Sequence, residues 1–434
     1  MLRSAFPGRV SSRAAVSALV CLAVFAAVST AWAQPATVVP VPRNDKGWMD
    51  RHESMNARVK QGNVDMLFIG DSITHGWEGG GKAVWEKYYA DRNAVNLGIG
   101  GDRTEHVLWR LQNGNIEGIS PKVAMVMIGT NNHRDNSAEE IAQGVEAIVT
   151  LLRQRLPEMR ILLLAIFPRA DVSAELQQKV KDASALFSKL DADPMVEYLD
   201  INAVFLDQDG TLPKSVMPDL LHPNEKGYAL WAEAVEPYLA RLLAQADGWT
   251  PLFNNRDLTG WEQVGGEKKT WKAEKGLLIT SGEGGGWLST VEEYGDFELS
   301  VEFRVPENGN SGVFIRAPRA GNPAFEGSEI QVLDDFGDEY KTLKPWQYCG
   351  SVYSTIAPST RATKKAGEWQ TMVINVKGQK IQVTLNGTKI VDGDLSEHAD
   401  KLAEHPGLKR TSGYIGLQNH STLMEYRTIL LKAL

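Results

Sequence analysis

The chain has 434 residues and a formal net charge of −8, from 46 basic against 54 acidic residues. That length asks for more than one ordinary domain, and apolar and charged fractions of 43% and 23% are those of a soluble globular protein. The acidic balance, without a basic stripe, argues against a nucleic-acid partner.

Residues 1–33 read as a signal peptide. Arg3, Arg9 and Arg13 stand without an acid, an apolar run covers 14–28, and "AWA" closes the segment at 31–33. The run is short for a membrane span, which needs about 20 residues; an uncleaved anchor is the alternative. Export to the periplasm or the extracellular space is expected, with a mature chain starting near Gln34 and no stable membrane insertion after cleavage. Loss of three arginines takes the charge from −8 to −11. The chain holds two cysteines, Cys21 and Cys349. After cleavage one remains, which rules out an intramolecular disulfide and a thiol-ligated metal site.

Within a first domain expected over 34–246, the chain alternates short apolar runs with helical patterns from about 64 to 243. "VDMLFIG", "AVNLGIG", "KVAMVMIG", "RILLLAIFP" and "VEYLDI" are the candidate strands. "SAEEIAQGVEAIVTLLRQRL" opens on a Ser-x-x-Glu capping pattern and repeats apolar residues at helical spacing. Runs this apolar suit a parallel sheet covered on both faces. Five units predict a doubly wound α/β domain with its site at the carboxyl ends of the strands.

Four motifs fall at those ends. "FIGDSITHGW" turns sharply into Ser72 after the first strand. "NLGIGGDRT" follows the second and puts Gly100 and Gly101 where backbone N–H groups can be bare. "IGTNNH" follows the third and offers the Asn131 amide, and "DLLHPN" supplies Asp219 and His222 before the last helix. Serine hydrolysis needs a nucleophile, a base, an orienting carboxylate and oxyanion donors. Each motif alone fits an ordinary turn, whereas the four in this order point to Ser72 as the displayed nucleophile. His75, His106 and His133 also lie near strand ends and are read as supporting or surface residues.

Near "AQADGWTPLF" the pattern changes. Short alternating segments and dense glycine predict an all-β sandwich over 247–434, with Asn386-Gly387 as a hairpin turn. In "SGVFIRA", Val313 and Ile315 oppose Phe314 and Arg316. In "SEIQVL", Ile330 and Val332 oppose Glu329 and Gln331. In "YIGLQNH", Ile415 and Leu417 oppose Gln418 and His420. If these strands are neighbours, Arg316, Glu329, Gln331, Gln418 and His420 share one polar concave face. Trp249, Trp261, Trp271, Trp287, Trp346 and Trp369 suit core packing better than sugar stacking.

Both halves resemble known families. "GIGGDRTEHVLWRL", "GTNNH" and "AEEIAQGVEAIV", over about 60–243, resemble the SGNH or GDSL-type esterases, nearest to the catalytic subunits of the intracellular platelet-activating-factor acetylhydrolases. The resemblance implies a flavodoxin-like sheet, with Ser72 as nucleophile, His222 as base, Asp219 as its orienter, and the Gly101 N–H and Asn131 as oxyanion donors beside the Ser72 N–H. "THGWEGGGKAVW" departs from that family and is expected to shape the acyl or alcohol pocket.

"LFNNRDLTGW", "NSGVFIR", "SEIQVLDD", "GEWQTMVINVKG" and "GYIGLQNH" resemble the 3-keto-disaccharide hydrolase family. That implies a concanavalin-like jelly roll acting on, or binding, sugars. A ketone at carbon 3 acidifies the carbon-2 proton, so a base can start elimination. Glu329 or His420 is the implied base, Arg316 the holder of the ketone oxygen, and Asp334 with Asp335 a binder of hydroxyls or a cation. Ser421 stands where the pattern calls for glycine. The expected function is an exported carbohydrate deacetylase joined to a sugar-active sandwich, acting on acetylated or oxidised carbohydrate without cofactor or metal. The alternatives are an esterase tethered by a non-catalytic sugar-binding module, a protein that is mainly a glycoside-cleaving enzyme, and a lipid acetylhydrolase.

Overall fold

In a computed structural model, residues 34–266 and 270–434 are described. The predicted signal peptide lies outside them. The five apolar runs form β1 (Met66–Gly70), β2 (Ala94–Gly98), β3 (Val123–Met127), β4 (Arg160–Leu164) and β5 (Val196–Leu199). They pair in parallel in the order β2-β1-β3-β4-β5, the flavodoxin-like order with its crevice beyond the carboxyl strand ends. The helices are α1 (Lys46–Lys60), α2 (Ser72–His75), α3 (Lys82–Tyr88), α4 (Thr104–Gln112), α5 (Ala138–Arg155), α6 (Ala174–Phe187) and α7 (Glu225–Ala246).

Alternate side chains of each strand feed opposite cores, which is why the runs are apolar throughout. Leu67, Ile69 and Val126 pack with Val107, Val145 and Ile148 on one face. Phe68, Met125 and Leu162 pack with Trp77, Tyr228 and Trp231 on the other. Helix α5 carries the expected capping box: the Glu140 N–H donates to Ser137 Oγ (3.2 Å), and the Ser137 N–H donates to the Glu140 carboxylate (3.0 Å).

The second half is antiparallel. Its strands are β6 (Thr250–Pro251), β7 (Trp261–Val264), β8 (Trp271–Glu274), β9 (Leu277–Thr280), β10 (Trp287–Tyr294), β11 (Phe297–Arg304), β12 (Asn310–Ala317), β13 (Ser328–Leu333), β14 (Trp369–Lys377), β15 (Lys380–Leu385), β16 (Thr388–Asp394), β17 (Gly413–Gln418) and β18 (Met424–Ala433). One sheet runs β13-β12-β17-β10-β7. The other runs β16-β15-β14-β11-β18-β9-β8, with β6 added beside β18. Val313, Ile315, Ile330, Val332, Ile415 and Leu417 of the first meet Leu299, Val301, Ile374 and Ile429 of the second in one core, a β-sandwich. Asn386 and Gly387 turn β15 into β16 with φ of 50° and 81°, as a two-residue hairpin of the primed type requires.

Residues 35–434 form one compact unit. Arg241 of α7 donates to Asn255 Oδ1 (2.7 Å), and Arg256 grips both oxygens of Asp191 (2.8 Å each), so the two folds are bonded where they meet. Trp261, Trp271 and Trp287 are buried as core residues. Trp369 is surface-facing, stacked between Arg304 and Arg427. Among the described residues no helix is long and apolar enough to cross a membrane.

Candidate active site

Ser72 is the first residue of α2, immediately beyond β1. A Cβ on Gly70 would stand 2.1 Å from Thr74 Oγ1 and 2.4 Å from the Met127 carbonyl oxygen. Only glycine lets the strand turn there so tightly. Asp71 caps α2 by accepting from the Ile73 N–H (3.0 Å). Its carboxyl is fully buried, and that burial pushes it up to about 7 against the Ile73 bond. As the first helical residue, Ser72 has an N–H without an intrahelical partner.

Ser72 Oγ lies 2.8 Å from His222 Nε2, and His222 Nδ1 lies 2.6 Å from Asp219 Oδ2. With a neutral imidazole, the serine hydroxyl donates to Nε2 and the Nδ1–H donates to the carboxylate. Asp219 and His222 meet through an Asx-type turn. Asp219 Oδ1 accepts from the N–H groups of Leu221 (3.0 Å) and His222 (2.7 Å), while Leu220 adopts a φ of 63°. Partial burial raises the Asp219 carboxyl, and the bonds from His222 and Leu221 outweigh it, leaving a net lowering that keeps it ionised. The His222 and Asp219 side chains are 40% and 55% exposed, so the pair sits at an open surface.

The turn after β2 completes the site. Gly101 has a φ of +78°, and its N–H has no acceptor among the described residues. An ideal Cβ on Gly100 would lie 3.9 Å from the Ser72 Cβ, so this turn faces the serine. Asn131 Nδ2 donates to the Asp102 carbonyl (2.9 Å), which orients the amide and leaves its second hydrogen for an oxyanion. The structure thus brings Ser72, His222 and Asp219 together, with Gly101 and Asn131 alongside. Within "THGWEGGGKAVW" the residues divide: His75 lies beside the glycine turn, its Nδ1 3.9 Å from where a Cβ on Gly100 would stand, and Ala83 and Val84 line a surface cavity. Trp77 is buried 4.5 Å and 4.9 Å, ring to ring, from Tyr228 and Trp231 and serves the core.

Three supporting groups escaped the sequence reading. Asp102, fully buried, accepts from Trp48 Nε1 (2.6 Å) and from Arg110 Nε (2.8 Å). Arg110 also reaches the Gly70 carbonyl (3.3 Å), tying the nucleophile turn to the glycine turn. Arg43 donates to the Gly100 carbonyl (2.7 Å). A charged residue inside an apolar helical pattern, Arg110 in "HVLWRL", was the available signal; Arg43 had none.

On the sandwich, a cavity of about 390 Å³ lies on the outer face of the smaller sheet. Glu329, Gln331, Gln418 and His420 line it, as the alternation predicts, with Asn310, Phe325, Tyr340 and Tyr353 that the sequence did not single out. Glu329 is buried, and burial alone pushes its carboxyl up to about 8. Gly312 makes room for it: a Cβ there would stand 2.0 Å from Glu329 Oε1. Gln331 is fixed by its bond to Asn310 Oδ1 (2.8 Å). Ser421 holds a φ of 55°, which explains the expected glycine.

Two expectations fail here. Arg316 does not share this face. The β12–β17 register shifts between Phe314 and Ala317, Arg316 takes a φ of 49°, and its guanidinium is buried on the carbonyls of Gly295, Gly378 and Arg410 and on Asp296. A bulge breaks the two-residue period on which the placement rested. Asp334 does not line this cavity either; it closes a turn, accepting from the N–H groups of Asn308 (3.0 Å) and Phe336 (3.3 Å). Its neighbour Asp335 is likewise engaged, by the Cys349 N–H (2.8 Å) and Thr363 Oγ1 (3.2 Å).

A hydroxyl, an imidazole and a carboxylate in line at the carboxyl edge of a 2-1-3-4-5 sheet give the α/β half the architecture of a serine acylhydrolase. Comparison with known proteins agrees. Residues 68–230 match the GDSL-like lipase/acylhydrolase family, and residues 248–432 match the 3-keto-alpha-glucoside-1,2-lyase-like domain. The chain is 37% identical over 220 residues to the human platelet-activating factor acetylhydrolase IB subunit alpha1, covering 50% of this chain and 93% of that one. It is 38% identical over 204 residues to the rat alpha2 subunit, covering 47% and 88%. A solved chain assigned as a glycosyl hydrolase from Parabacteroides distasonis is 29% identical, with a TM-score of 0.39, covering 43% of this chain and 99% of that one. The chain belongs to the GDSL-like lipase/acylhydrolase family, with a 3-keto-disaccharide hydrolase domain joined to it.

Proposed function

We propose that this protein is an exported serine esterase that removes acetyl groups from carbohydrates, and that its sandwich acts on 3-keto-glycosides. The observation that carries the esterase reading is the line of Ser72 Oγ, His222 and Asp219 at 2.8 Å and 2.6 Å. Ser72 Oγ attacks the ester carbonyl carbon while its proton passes to His222 Nε2. The Ser72 and Gly101 N–H groups and Asn131 hold the oxyanion. The ester C–O bond breaks, His222 protonates the departing alcohol, and water then releases the acid from the acyl-serine.

The open position of His222 and Asp219 supports a bulky alcohol such as a saccharide over one enclosed in a tunnel. The acetylhydrolase names of the relatives support a short acyl group, and they equally favour a second reading, a lipid acetylhydrolase. In the sandwich, amides, tyrosines and a buried carboxyl around a cavity suit hydroxyl recognition. Glu329 is the base of choice there because, among the described residues, it is the only carboxylate lining that cavity. With Arg316 withdrawn, the amide of Gln331 or Gln418 takes the ketone oxygen.

Purified full-length protein assayed on O-acetylated oligosaccharides, acetylated ether phospholipid and a 3-keto disaccharide tests this. Deacetylation lost in Ser72→Ala, with 3-keto cleavage lost only in Glu329→Gln, supports both assignments. Preference for the phospholipid overturns the carbohydrate reading. Sugar binding without cleavage makes the sandwich a binding module.

A further inference from the structure

The oxyanion turn is gripped from outside by a residue that neither family motif contains. The Gly100 C=O and the Gly101 N–H belong to one peptide unit, and in a trans peptide these groups point in opposite directions. Arg43 Nη1 donates to the Gly100 carbonyl at 2.7 Å. A group pulling that carbonyl to one side aims the Gly101 N–H to the other, in a turn that packs on the nucleophile: an ideal Cβ on Gly100 would lie 3.9 Å from the Ser72 Cβ. The flanking backbone gives this control a purpose. Gly100-Gly101 lacks both Cβ atoms, and Gly101 sits at +78°, so its peptide can rotate at little steric cost.

The arginine is itself held. Its Nη2 pairs with Asp45 (3.1 Å), and its Nη1 lies 3.8 Å from the buried Asp102 carboxylate. The strap that carries it is stitched down by three bonds: Thr37 Oγ1 to the Glu140 carbonyl (2.6 Å), Thr104 Oγ1 to the Thr37 carbonyl (3.0 Å), and the Val41 N–H to the Glu105 carbonyl (3.3 Å). Asp45 then caps α1 by accepting from the Trp48 N–H (2.9 Å). A cationic donor on a carbonyl also polarises the amide and strengthens its N–H as a donor.

We infer that Arg43 is a positioning residue for the oxyanion hole, acting through the Gly100–Gly101 peptide; this rests on the esterase reading above. It stabilises the charged tetrahedral state more than the bound ester, so its loss lowers turnover and spares substrate binding. It also makes the segment just after the predicted cleavage site part of the catalytic apparatus.

The test uses the full chain on an aryl acetate, with Arg43→Ala, Arg43→Gln, Arg43→Lys and Ser72→Ala. The expected result is a kcat loss of about 10- to 100-fold in Arg43→Ala and Arg43→Gln, below the ~10²–10³ for removal of a donor itself. KM stays within about two-fold, affinity for a boronic-acid transition-state analogue falls with kcat, and Arg43→Lys or added guanidinium restores part of the loss. Unchanged kcat, a loss carried by KM, or a lowered Tm with no recovery in Arg43→Lys would each overturn the inference. Activity surviving in Ser72→Ala fails the esterase reading instead, so the two failures are distinguishable.

Discussion

Replacing Glu329 by glutamine isolates one buried carboxyl. Glu329 is buried on the outer face of the smaller sheet, and burial moves it from 4.5 to about 8. A group whose folded value is raised binds a proton in the native state that the unfolded state has already released. Stability therefore falls as pH rises from about 4.5 to about 8 and is level beyond. The full difference is worth about 5 kcal/mol at 1.36 kcal/mol per unit. Screening in real interiors trims that to the order of 2–5 kcal/mol. Glutamine has nearly the same shape and no charge to bury. Denaturant unfolding of the sandwich should give matching stabilities for parent and Glu329→Gln at pH 5, and a more stable variant at pH 9. Parallel curves across that range would refute the assignment of Glu329 as an uncompensated buried acid.

Other outcomes follow from the same geometry. Asn131→Ala should keep the fold and lose about 10²–10³ in kcat, because one oxyanion donor is removed; thermal melts beside steady-state rates check both. Arg110→Met removes the nearest cation from buried Asp102 and leaves it the Trp48 bond and Arg43 at 3.8 Å, so denaturant unfolding should show lost stability below the about 3–5 kcal/mol of a wholly uncompensated buried charge. A fragment of residues 34–246 should retain aryl-acetate hydrolysis with a lower Tm, since Arg241 and Asp191 lose the Asn255 and Arg256 partners. A soluble but inactive fragment would show that the sandwich completes the esterase site.

What the sequence made legible was local or periodic. Apolar runs over 66–70 and 123–127, the Ser137–Glu140 capping box, the Asn386-Gly387 turn and the order of Ser72, Asn131, Asp219 and His222 all rest on neighbours in the chain. The alternation in β13 and β17 held because those strands are regular where it was applied, so Glu329, Gln331 and Gln418 reached one cavity. It failed at Arg316, where a bulge and a left-handed residue reverse the facing. Asp334 misled because a carboxylate closing a turn and one awaiting a ligand look alike in sequence. Arg43, Phe325 and Tyr353 were invisible because their roles come from contacts between distant segments. The tight turn after β1 was readable from Gly70, but the buried Arg110–Asp102 pair that braces it was not.

The central claim is that Ser72 is the acyl-accepting nucleophile, and the most direct measurement is covalent. Mature protein should be treated with a fluorophosphonate and digested, and the modified peptide sequenced by mass spectrometry, with aryl-acetate hydrolysis followed in parallel. The account predicts stoichiometric labelling at Ser72, loss of hydrolysis in step with labelling, and neither label nor activity in Ser72→Ala. Labelling at another serine, or hydrolysis persisting in Ser72→Ala, would contradict it.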